Sequence, residues 1–355
     1  MVNKVNKGEW AEFYAFLKIL ASGKLYAADD EGKKNINKYY SILSAIKKDI
    51  EYTRDVNSES ITFVINNDDI QVPISNIDAI LDQMFKQIKE GKGTFEIPTV
   101  EPIINNLHIT NIKESSRIKG DINLKVHDSL TGHTPTHSFS VKSYIGGAPT
   151  LLNASNGTKF TYEISPALSE NIIDDIKEIF ESRPTGWLDS MIQTIYNNGS
   201  QLVYNKISSD VFKKNLQMID FKLPKILSEV FAHGYLVKNK KLDLSVQSYI
   251  KYTQSKDKDL IEYKITELLV ASALGMMPMT PWYGFDDANG GYIIVKDNSE
   301  VLCYHLYERN ELKKYLYNNT RFETASTSRY NTGTIYQEKY KQYIDLALQI
   351  RFVTS

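Results

Sequence analysis

The chain has 355 residues, of which 42% are hydrophobic and 24% are charged, and its formal net charge is −1. This composition is sufficient for a hydrophobic core and excludes a disordered or fibrous chain. The near-neutral charge confines any nucleic-acid surface to a local patch, and the single cysteine, Cys303, excludes a disulfide scaffold and a multi-cysteine zinc site.

The first residues and the longest apolar run predict in which compartment the protein works. The first residues lack the apolar segment of a signal peptide. The longest apolar run, 268–277, is too short to span a bilayer. We therefore expect a cytoplasmic protein that makes no use of a membrane. The length favours two domains, or one large domain with an insertion.

The first predicted element is a helix over residues 8–22. Its large apolar side chains recur at the spacing of one helical face: Trp10, Phe13, Leu17 and Leu20. Gly23 follows as a residue that can end the helix in the left-handed conformation. Next come a predicted β-hairpin over 60–75 and a second helix over 76–90.

The segment 107–164 is predicted to be rich in strands. Apolar and polar residues alternate in three places, as in half-buried strands. The apolar positions are Ile122, Leu124, Val126, Phe139, Val141, Phe160, Tyr162 and Ile164. Between the first two strands, residues 127–137 contain the glycine, proline and threonine that are typical of a loop.

The rest of the chain is predicted to be helical and then to return to strands. Helical patterns lie near 172–180, 187–198, 208–217, 223–238 and 258–275, and strand patterns near 291–296, 301–306 and 343–352. This order predicts an α+β (mixed α/β) fold in which helices flank a mixed sheet and a helical insertion interrupts it. The predicted segments are 1–165, a helical lysine-rich region 166–280, and a β-rich segment 281–355.

Two predicted strands carry residues that could perform chemistry. Asp121 opens the first strand, and Ser140 and Lys142 lie on the second, where residues two apart share a face. Phosphodiester hydrolysis needs a metal ion that neutralises phosphate charge and a group that orients the attacking water. A carboxylate and a lysine in this arrangement resemble the hairpin of PD-(D/E)XK nucleases. The alternative is a strand-edge aspartate beside a solvated lysine, and the usual second acid is absent because position 140 is serine.

The first helix could supply the missing acid, since it carries Glu9 and Glu12. At about 100° per residue, Glu9 is predicted to lie nearer the apolar face, at the rim of a cleft. Glu12 is predicted to face solvent. The alternative for both is that acidic residues simply favour the first turn of a helix.

Long stretches of the chain resemble the HpaII family of type II restriction endonucleases. The similar stretches are NKGEWAEFYAFLKILASGKLYAAD (6–29), KGDINLKVHDSLTG (119–132), FSVKSYIGGAPTLLNAS (139–155), FTYEI (160–164), the segment 273–329 and LALQIRF (346–352). The resemblance implies a Mg²⁺-dependent nuclease that cuts double-stranded DNA at a short palindrome, CCGG in the namesake, and leaves 5′-phosphates. It also implies a homodimer on the palindrome and a cognate DNA methyltransferase as a genetic partner.

The resemblance assigns roles to particular residues. Asp121 is the implied metal ligand, Lys142 the active-site lysine, and Glu9 the helix-borne acid that also binds metal. Ser140 departs from the superfamily pattern but agrees with the F-S-[IV]-K-S form of the family. Asp128, in the following loop, is a second candidate metal ligand.

Residues that would contact DNA are predicted in two places. Ser143 and Asn153 lie in a small-residue segment directly after the catalytic strand. Arg329, Arg321 and Ser328 lie in a polar segment, 317–333, where arginine could bind guanine O6 and N7. A surface loop is the alternative there. Eleven lysines against five acids in 200–258 could contact phosphates or form a solvated helix face.

Other functions remain open at this stage. His127, His133 and His137 could suggest a zinc or HNH-like site, although a loop is a poor scaffold for it. A repair or junction nuclease would share the same core without sequence choice. Ser140 invites the reading of a DNA-binding protein with an inactive nuclease core. The near-neutral charge is also compatible with a protein–protein interaction module.

Overall fold

A computed structural model describes residues 4–54, 57–113, 120–128 and 131–353 of the chain. Ser129 and Leu130, which belong to the predicted loop 127–137, lie outside the described residues. Within the described ranges, none of the helices has the length and apolar character needed to cross a membrane.

The described residues form eighteen strands and eleven helices. The strands are β1 (Val5–Asn6), β2 (Lys24–Ala28), β3 (Lys34–Lys47), β4 (Ile50–Arg54), β5 (Ser60–Ile65), β6 (Asp68–Pro73), β7 (Thr94–Phe95), β8 (Ile122–His127), β9 (Thr136–Ser143), β10 (Thr150–Leu152), β11 (Lys159–Ser165), β12 (Gln201–Ile207), β13 (Gly291–Val295), β14 (Val301–His305), β15 (Thr320–Phe322), β16 (Ile335–Glu338), β17 (Lys341–Ala347) and β18 (Ile350–Phe352). The helices are α1 (Lys7–Ser22), α2 (Ile74–Glu90), α3 (Glu101–Asn106), α4 (Glu170–Ser182), α5 (Trp187–Asn197), α6 (Asp210–Ile219), α7 (Leu223–Gly234), α8 (Leu242–Thr253), α9 (Lys258–Leu274), α10 (Arg309–Asn318) and α11 (Thr327–Tyr330). The predicted mixed α+β class is confirmed.

The chain divides into two compact units. Unit 1 comprises Met1–Pro149, Ala273–Gly275 and Asp286–Tyr315, and unit 2 comprises Thr150–Ser272, Met276–Phe285 and Leu316–Ser355. These bounds differ from the predicted segments 1–165, 166–280 and 281–355, because the hairpin β13–β14 joins unit 1. The sequence of this hairpin does not show that β13 pairs with β9, which lies about 150 residues earlier in the chain.

Unit 1 is built on a mixed sheet of nine strands in the order β2-β14-β13-β9-β8-β3-β4-β5-β6. The pairs β13–β9 and β14–β2 are parallel, and the other pairs are antiparallel. β2 also pairs with β3. The strands β2, β14, β13, β9, β8 and β3 therefore form a closed, hydrogen-bonded ring. β9 therefore lies inside the sheet, between β8 and β13, where both of its edges are bonded.

Helix α1 supplies much of the core of unit 1. It begins with a capping box, in which Asn6 and Glu9 each accept a hydrogen bond from the other's backbone N–H. It ends at Gly23, whose φ of 65° is left-handed and favours glycine. Ten of its sixteen residues are buried, from Trp10 to Ala21, so that the helix packs on nearly all sides. The predicted helix 8–22 and its glycine stop are confirmed.

Unit 2 combines helices with two small antiparallel sheets. The strand orders are β12-β11-β17-β16 and β10-β18-β15. Its core gathers aromatic side chains around Phe231, whose ring lies 6.1 Å from that of Phe160 and 5.0 Å from that of Phe322. The hydroxyl of buried Tyr162 donates to the backbone oxygen of Ser228 and joins the sheet to α7.

Several elements differ from the sequence prediction. The strands β2 to β4 and β12 and the helix α8 have no counterpart in it. β3 was missed because its first six residues are exposed, which removes the alternation of apolar residues. The predicted last strand, 343–352, is two strands, β17 and β18, which belong to different sheets. The hairpins β5–β6 and β13–β14 and helix α2 agree with their predictions.

Candidate active site

The antiparallel pair β8–β9 holds Asp121 directly against the neighbouring strand. The backbone N–H of Asp121 donates to the oxygen of Phe139 at 2.9 Å. Its Oδ2 accepts a hydrogen bond from the backbone N–H of Val141 at 2.6 Å. These two bonds fix the carboxylate beside the middle of β9, where Ser140 and Lys142 are located.

Ser140 and Lys142 share one face of β9, because residues two apart in a strand point the same way. Ser140 is fully buried, and its hydroxyl has no hydrogen-bond partner among the described residues. Lys142 is partly exposed. Tyr292 of β13 pairs in register with Ser140 and is also fully buried. A small buried hydroxyl thus occupies the position where the superfamily pattern has an acid.

The two glutamates of α1 are both partly buried. Glu9 closes the capping box, its side chain is 14% exposed, and its Oε1 lies 2.9 Å from Nζ of Lys113. Its charge also acts on Glu12, and its role as the helix-borne acid stays a prediction. The prediction that Glu12 faces solvent is wrong: it is partly buried, and the charged groups that act on it include Asp121 and Lys142.

The electrostatics of Glu12 reflect this position. The pKa of its carboxyl is raised from 4.5 to about 8, chiefly by burial and then by the negative charges of Asp121 and Glu9. The positive charges of Lys142 and Lys47 act in the opposite direction. A raised pKa at a cleft between a carboxylate and a lysine is typical of a functional site. The prediction from helical angles failed for Glu12 because α1 is buried on nearly every side. The apolar face identified in the sequence is therefore not the only face of the helix that points into the protein.

Asp128 cannot share a metal ion with Asp121. The two lie at opposite ends of β8, and at about 3.3 Å per residue the seven steps between them amount to roughly 23 Å. Asp128 instead accepts hydrogen bonds from the hydroxyls of Thr131, at 2.7 Å, and Tyr307, at 2.6 Å. The structure therefore does not bring Asp128 together with Asp121, as the prediction of a second ligand of the same ion required.

The residues that do converge fit a hard divalent cation. Mg²⁺ is held through one or two carboxylates and keeps several waters, so Asp121 and Glu12 suffice as protein ligands. A cation there would offset the like charges that raise the pKa of Glu12. In the part of the chain that the structure describes, no group of three or more histidine, cysteine or acidic residues could hold a metal ion. His137, one of the three histidines considered for zinc, packs its ring 5.7 Å from that of His305.

The residues predicted to contact DNA fall into both units. Ser143 belongs to unit 1, where its hydroxyl accepts from the N–H of Ile145. The other four belong to unit 2. Asn153, Ser328 and Arg329 are exposed, whereas Arg321 is half-buried and bonds Glu323 at 2.7 Å.

Some residues near the site were absent from the sequence reasoning. Lys47 is buried at the end of β3, and its Nζ donates to the backbone oxygen of Ile112. Tyr292 comes from the C-terminal hairpin. Neither carried a local signal, because both reach the site only through the pairing of strands that are far apart in sequence. The one sequence signal for Lys47 was its charge at the otherwise apolar end of a strand.

Comparisons with known proteins identify the family of the chain. The family model described as HpaII restriction endonuclease matches residues 6–352. The chain is also similar to the type II restriction enzyme HpaII of Haemophilus parainfluenzae, with 38% identity over 359 residues that cover 98% of each chain. No solved structure matches it. The match runs from the first helix to the last strand, through Glu12, Asp121 and Lys142. The chain belongs to the HpaII restriction endonuclease family and is an endonuclease.

Proposed function

We propose that this endonuclease hydrolyses double-stranded DNA at a short palindrome, CCGG, and uses Mg²⁺ held by Asp121 and Glu12. The observation that carries the proposal is the convergence of these two carboxylates with Lys142. Restriction endonucleases are typically metal-dependent, and the donor set consists of the hard oxygen ligands that Mg²⁺ prefers.

Each residue has a distinct part in the proposed reaction. A bound Mg²⁺ would neutralise charge on the scissile phosphate and make water more acidic. Asp121 is held in place by the backbone of β9, and Glu12 supplies the second carboxylate once it is deprotonated. Lys142 orients the attacking water and stabilises the phosphorane oxygens. Ser140 donates a hydrogen bond from its buried hydroxyl to a water of the site, and Glu9 holds the start of α1.

The bond changes are those of phosphodiester hydrolysis. The oxygen of the attacking water bonds to phosphorus while the bond from phosphorus to the 3′ oxygen breaks. The 3′ oxygen takes up a proton, so the products are a 5′-phosphate and a 3′-hydroxyl. A two-fold symmetric homodimer would cut both strands of a palindrome with one site in each subunit.

Sequence readout is proposed for the exposed residues of unit 2. Arg329 and Ser328 would contact base edges, with Arg329 bidentate to a guanine. Asn153 and Ser143 would approach the backbone or bases, and Arg321 would act indirectly by holding its strand. A methyltransferase that protects the same site is the expected genetic partner.

The test is a digest of a sequenced plasmid with purified protein and Mg²⁺. Parallel digests use EDTA and the Lys142→Ala variant as controls. Discrete bands that map to CCGG and vanish in both controls are expected. Discrete bands at another sequence would retain the chemistry and discard CCGG, and a smear would indicate a nuclease without sequence choice.

One observation favours a second candidate, a sequence-specific DNA-binding protein with an inactive nuclease core. The superfamily acid is replaced by Ser140, and a core without a second acid would not cut. The position of Glu12 answers this objection, since it offers a carboxylate from α1 instead. Specific binding without cleavage at any Mg²⁺ concentration would favour the inactive core.

A further inference from the structure

A loop of unit 2 exposes large apolar side chains to solvent. This loop, 276–285, follows α9 and has no regular secondary structure. Met279 is 52% exposed, Tyr283 is 67% exposed and Phe285 is 75% exposed. We call it the aromatic loop. Three large apolar side chains within seven residues form a patch of the kind that marks interaction sites.

The aromatic loop is held rigidly by one buried side chain. Nδ2 of Asn215, in α6, donates to the backbone oxygens of Met277 at 3.2 Å and Thr280 at 2.8 Å. Oδ1 of the same amide accepts from the backbone N–H of Trp282 at 2.9 Å. All three bonds lie within unit 2. The amide thus determines the path of the loop over six residues.

A second hydrogen bond closes the tip of the loop. Nε1 of Trp282 donates to the backbone oxygen of Phe285 at 2.7 Å, which holds Tyr283 and Gly284 in a tight turn between them. Aromatic side chains on an ordered loop lose little conformational entropy when they bind. The loop therefore exposes its rings to solvent and does not bury them in unit 2.

Two exposed lysines precede the residue that anchors the aromatic loop, and one residue of the loop packs against a neighbouring segment of unit 2. Lys213 and Lys214 directly precede the anchoring Asn215, and both are exposed. Met279 packs against Gly157, close enough that a Cβ on Gly157 would lie 2.1 Å from its sulfur. The loop therefore lies against the segment that begins at Asn153, for which DNA contact is proposed.

The chemistry of the rings narrows the choice further. Phe285 has no polar atom and cannot bond a phosphate, so its favourable partners are flat or apolar surfaces. The faces of DNA bases are such surfaces, and aromatic side chains inserted between base steps are a known way to bind a duplex.

We propose that the aromatic loop is a DNA-contacting wedge, in which Tyr283 and Phe285 stack on bases at a partly unstacked step of the bound duplex. This inference rests on the proposed function only in taking double-stranded DNA as the substrate. It concerns binding, so it can be tested apart from the chemistry at Asp121 and Lys142.

The test compares two variants of exposed aromatic residues in unit 2. The double variant Tyr283→Ala/Phe285→Ala removes the rings of the wedge. Tyr340→Ala is the matched control, since Tyr340 is 94% exposed in the turn between β16 and β17. Each protein is titrated, with Ca²⁺ in place of Mg²⁺, into a fluorescein-labelled duplex that contains CCGG. A second duplex carries 2-aminopurine beside CCGG and reports unstacking through its fluorescence.

The wild type and Tyr340→Ala are expected to bind alike and to raise the 2-aminopurine fluorescence several-fold. The double variant is expected to bind at least about tenfold more weakly, since each stacked base contributes about 1–3 kcal/mol, and to lose the fluorescence rise. Its salt dependence should be unchanged because no cation is removed. By contrast, Lys213→Ala/Lys214→Ala should lower the slope of log K against log salt by roughly two.

Two further measurements keep folding and self-association apart from DNA contact. Phe285→Leu keeps an apolar side chain without a flat face, and it should lose most of the fluorescence rise while its melting temperature stays unchanged. Sedimentation without DNA should give the same mass for the wild type and the double variant.

Three outcomes would overturn the wedge. The first is wild-type affinity and fluorescence in the double variant. The second is a dimer in the absence of DNA that only the double variant loses, which would assign the loop to a second copy of the chain. The third is a wild type that binds no DNA, in which case the proposed function fails as well. If the wild type cuts DNA and the double variant binds DNA as well as the wild type, the wedge is rejected but the proposed function is not.

Discussion

The proposed activity depends on two sets of residues. One set lies on the β8–β9 hairpin of unit 1, and the other lies around α11 in unit 2. The side chains of the two sets are held very differently. Asp121 is fixed by two backbone hydrogen bonds, and Glu12 is partly buried among charged neighbours. Arg329 is exposed on a helix of four residues, and it has no ion-pair partner in the described part of the chain. Groups that perform chemistry need a preset geometry, whereas groups that read bases need freedom to meet them.

The largest effect is expected at the tightly held region. Lys142→Ala should reduce cleavage of CCGG by about three orders of magnitude, because a charge that stabilises the transition state is removed. DNA affinity and melting temperature should stay close to those of the wild type. Single-turnover cleavage and anisotropy measure the two quantities. A variant that cuts normally would remove Lys142 from the site.

The two glutamates of α1 sharpen the comparison within a single helical turn. Glu12→Gln should reduce cleavage by about two orders of magnitude, since a carboxylate that binds metal is lost. It should also raise the Mg²⁺ concentration needed for half-maximal rate. Glu9→Gln is the matched control and should cut within a few-fold of the wild type, because glutamine can still close the capping box. The reverse order of effects would restore Glu9 as the acid of the site.

The raised pKa of Glu12 predicts a change of stability with pH in the metal-free protein. Its pKa is about 8 in the folded chain and near 4.5 when unfolded, so the folded state holds the proton more tightly. Stability from this group therefore falls as pH rises from about 4.5 to 8 and then levels off.

Glu12→Gln removes this loss and should be more stable than the wild type at pH 9 by about 2–4 kcal/mol, with little difference at pH 4.5. Urea unfolding in EDTA at both pH values measures the difference. A constant difference across this range would show that Glu12 is an ordinary exposed acid.

The smallest effect is expected at the loosely held region. Arg329→Ala should weaken specific binding by roughly 1–3 kcal/mol and leave non-specific binding almost unchanged, if the guanidinium binds a guanine. Arg321→Ala is the comparison, since its side chain already bonds Glu323 and its loss should lower stability more than specificity. Equal loss of specific and non-specific affinity in Arg329→Ala would exclude it from base readout.

Local sequence was a good guide where local interactions decide the structure. The start of α1 follows from the side chains of Asn6 and Glu9, and its end follows from the left-handed Gly23. The hairpin β13–β14 follows from two short, mostly apolar runs on either side of a polar turn. These elements are encoded within a few residues of themselves, so they could be predicted from the sequence.

Predictions that depended on distant contacts were less successful. The sequence could not show that Gly291–Val295 runs parallel to β9, nor that α1 is buried on nearly all sides. The exposed start of β3 hid a strand that pairs with β2, β4 and β8. Helical angle alone therefore misjudged Glu12, which is partly buried and does not face solvent.

By itself the sequence determined the mixed α+β class, the pairing of Asp121 with Lys142 across one hairpin, and, through its resemblance, the family. Tertiary structure alone decided that Glu12 is partly buried near Asp121 and Lys142 and that Asp128 lies at the other end of β8. The physical reason is that a hairpin brings its own residues together through short-range pairing. The approach of a helix to a sheet depends instead on the packing of the whole core, to which every buried side chain of α1 contributes.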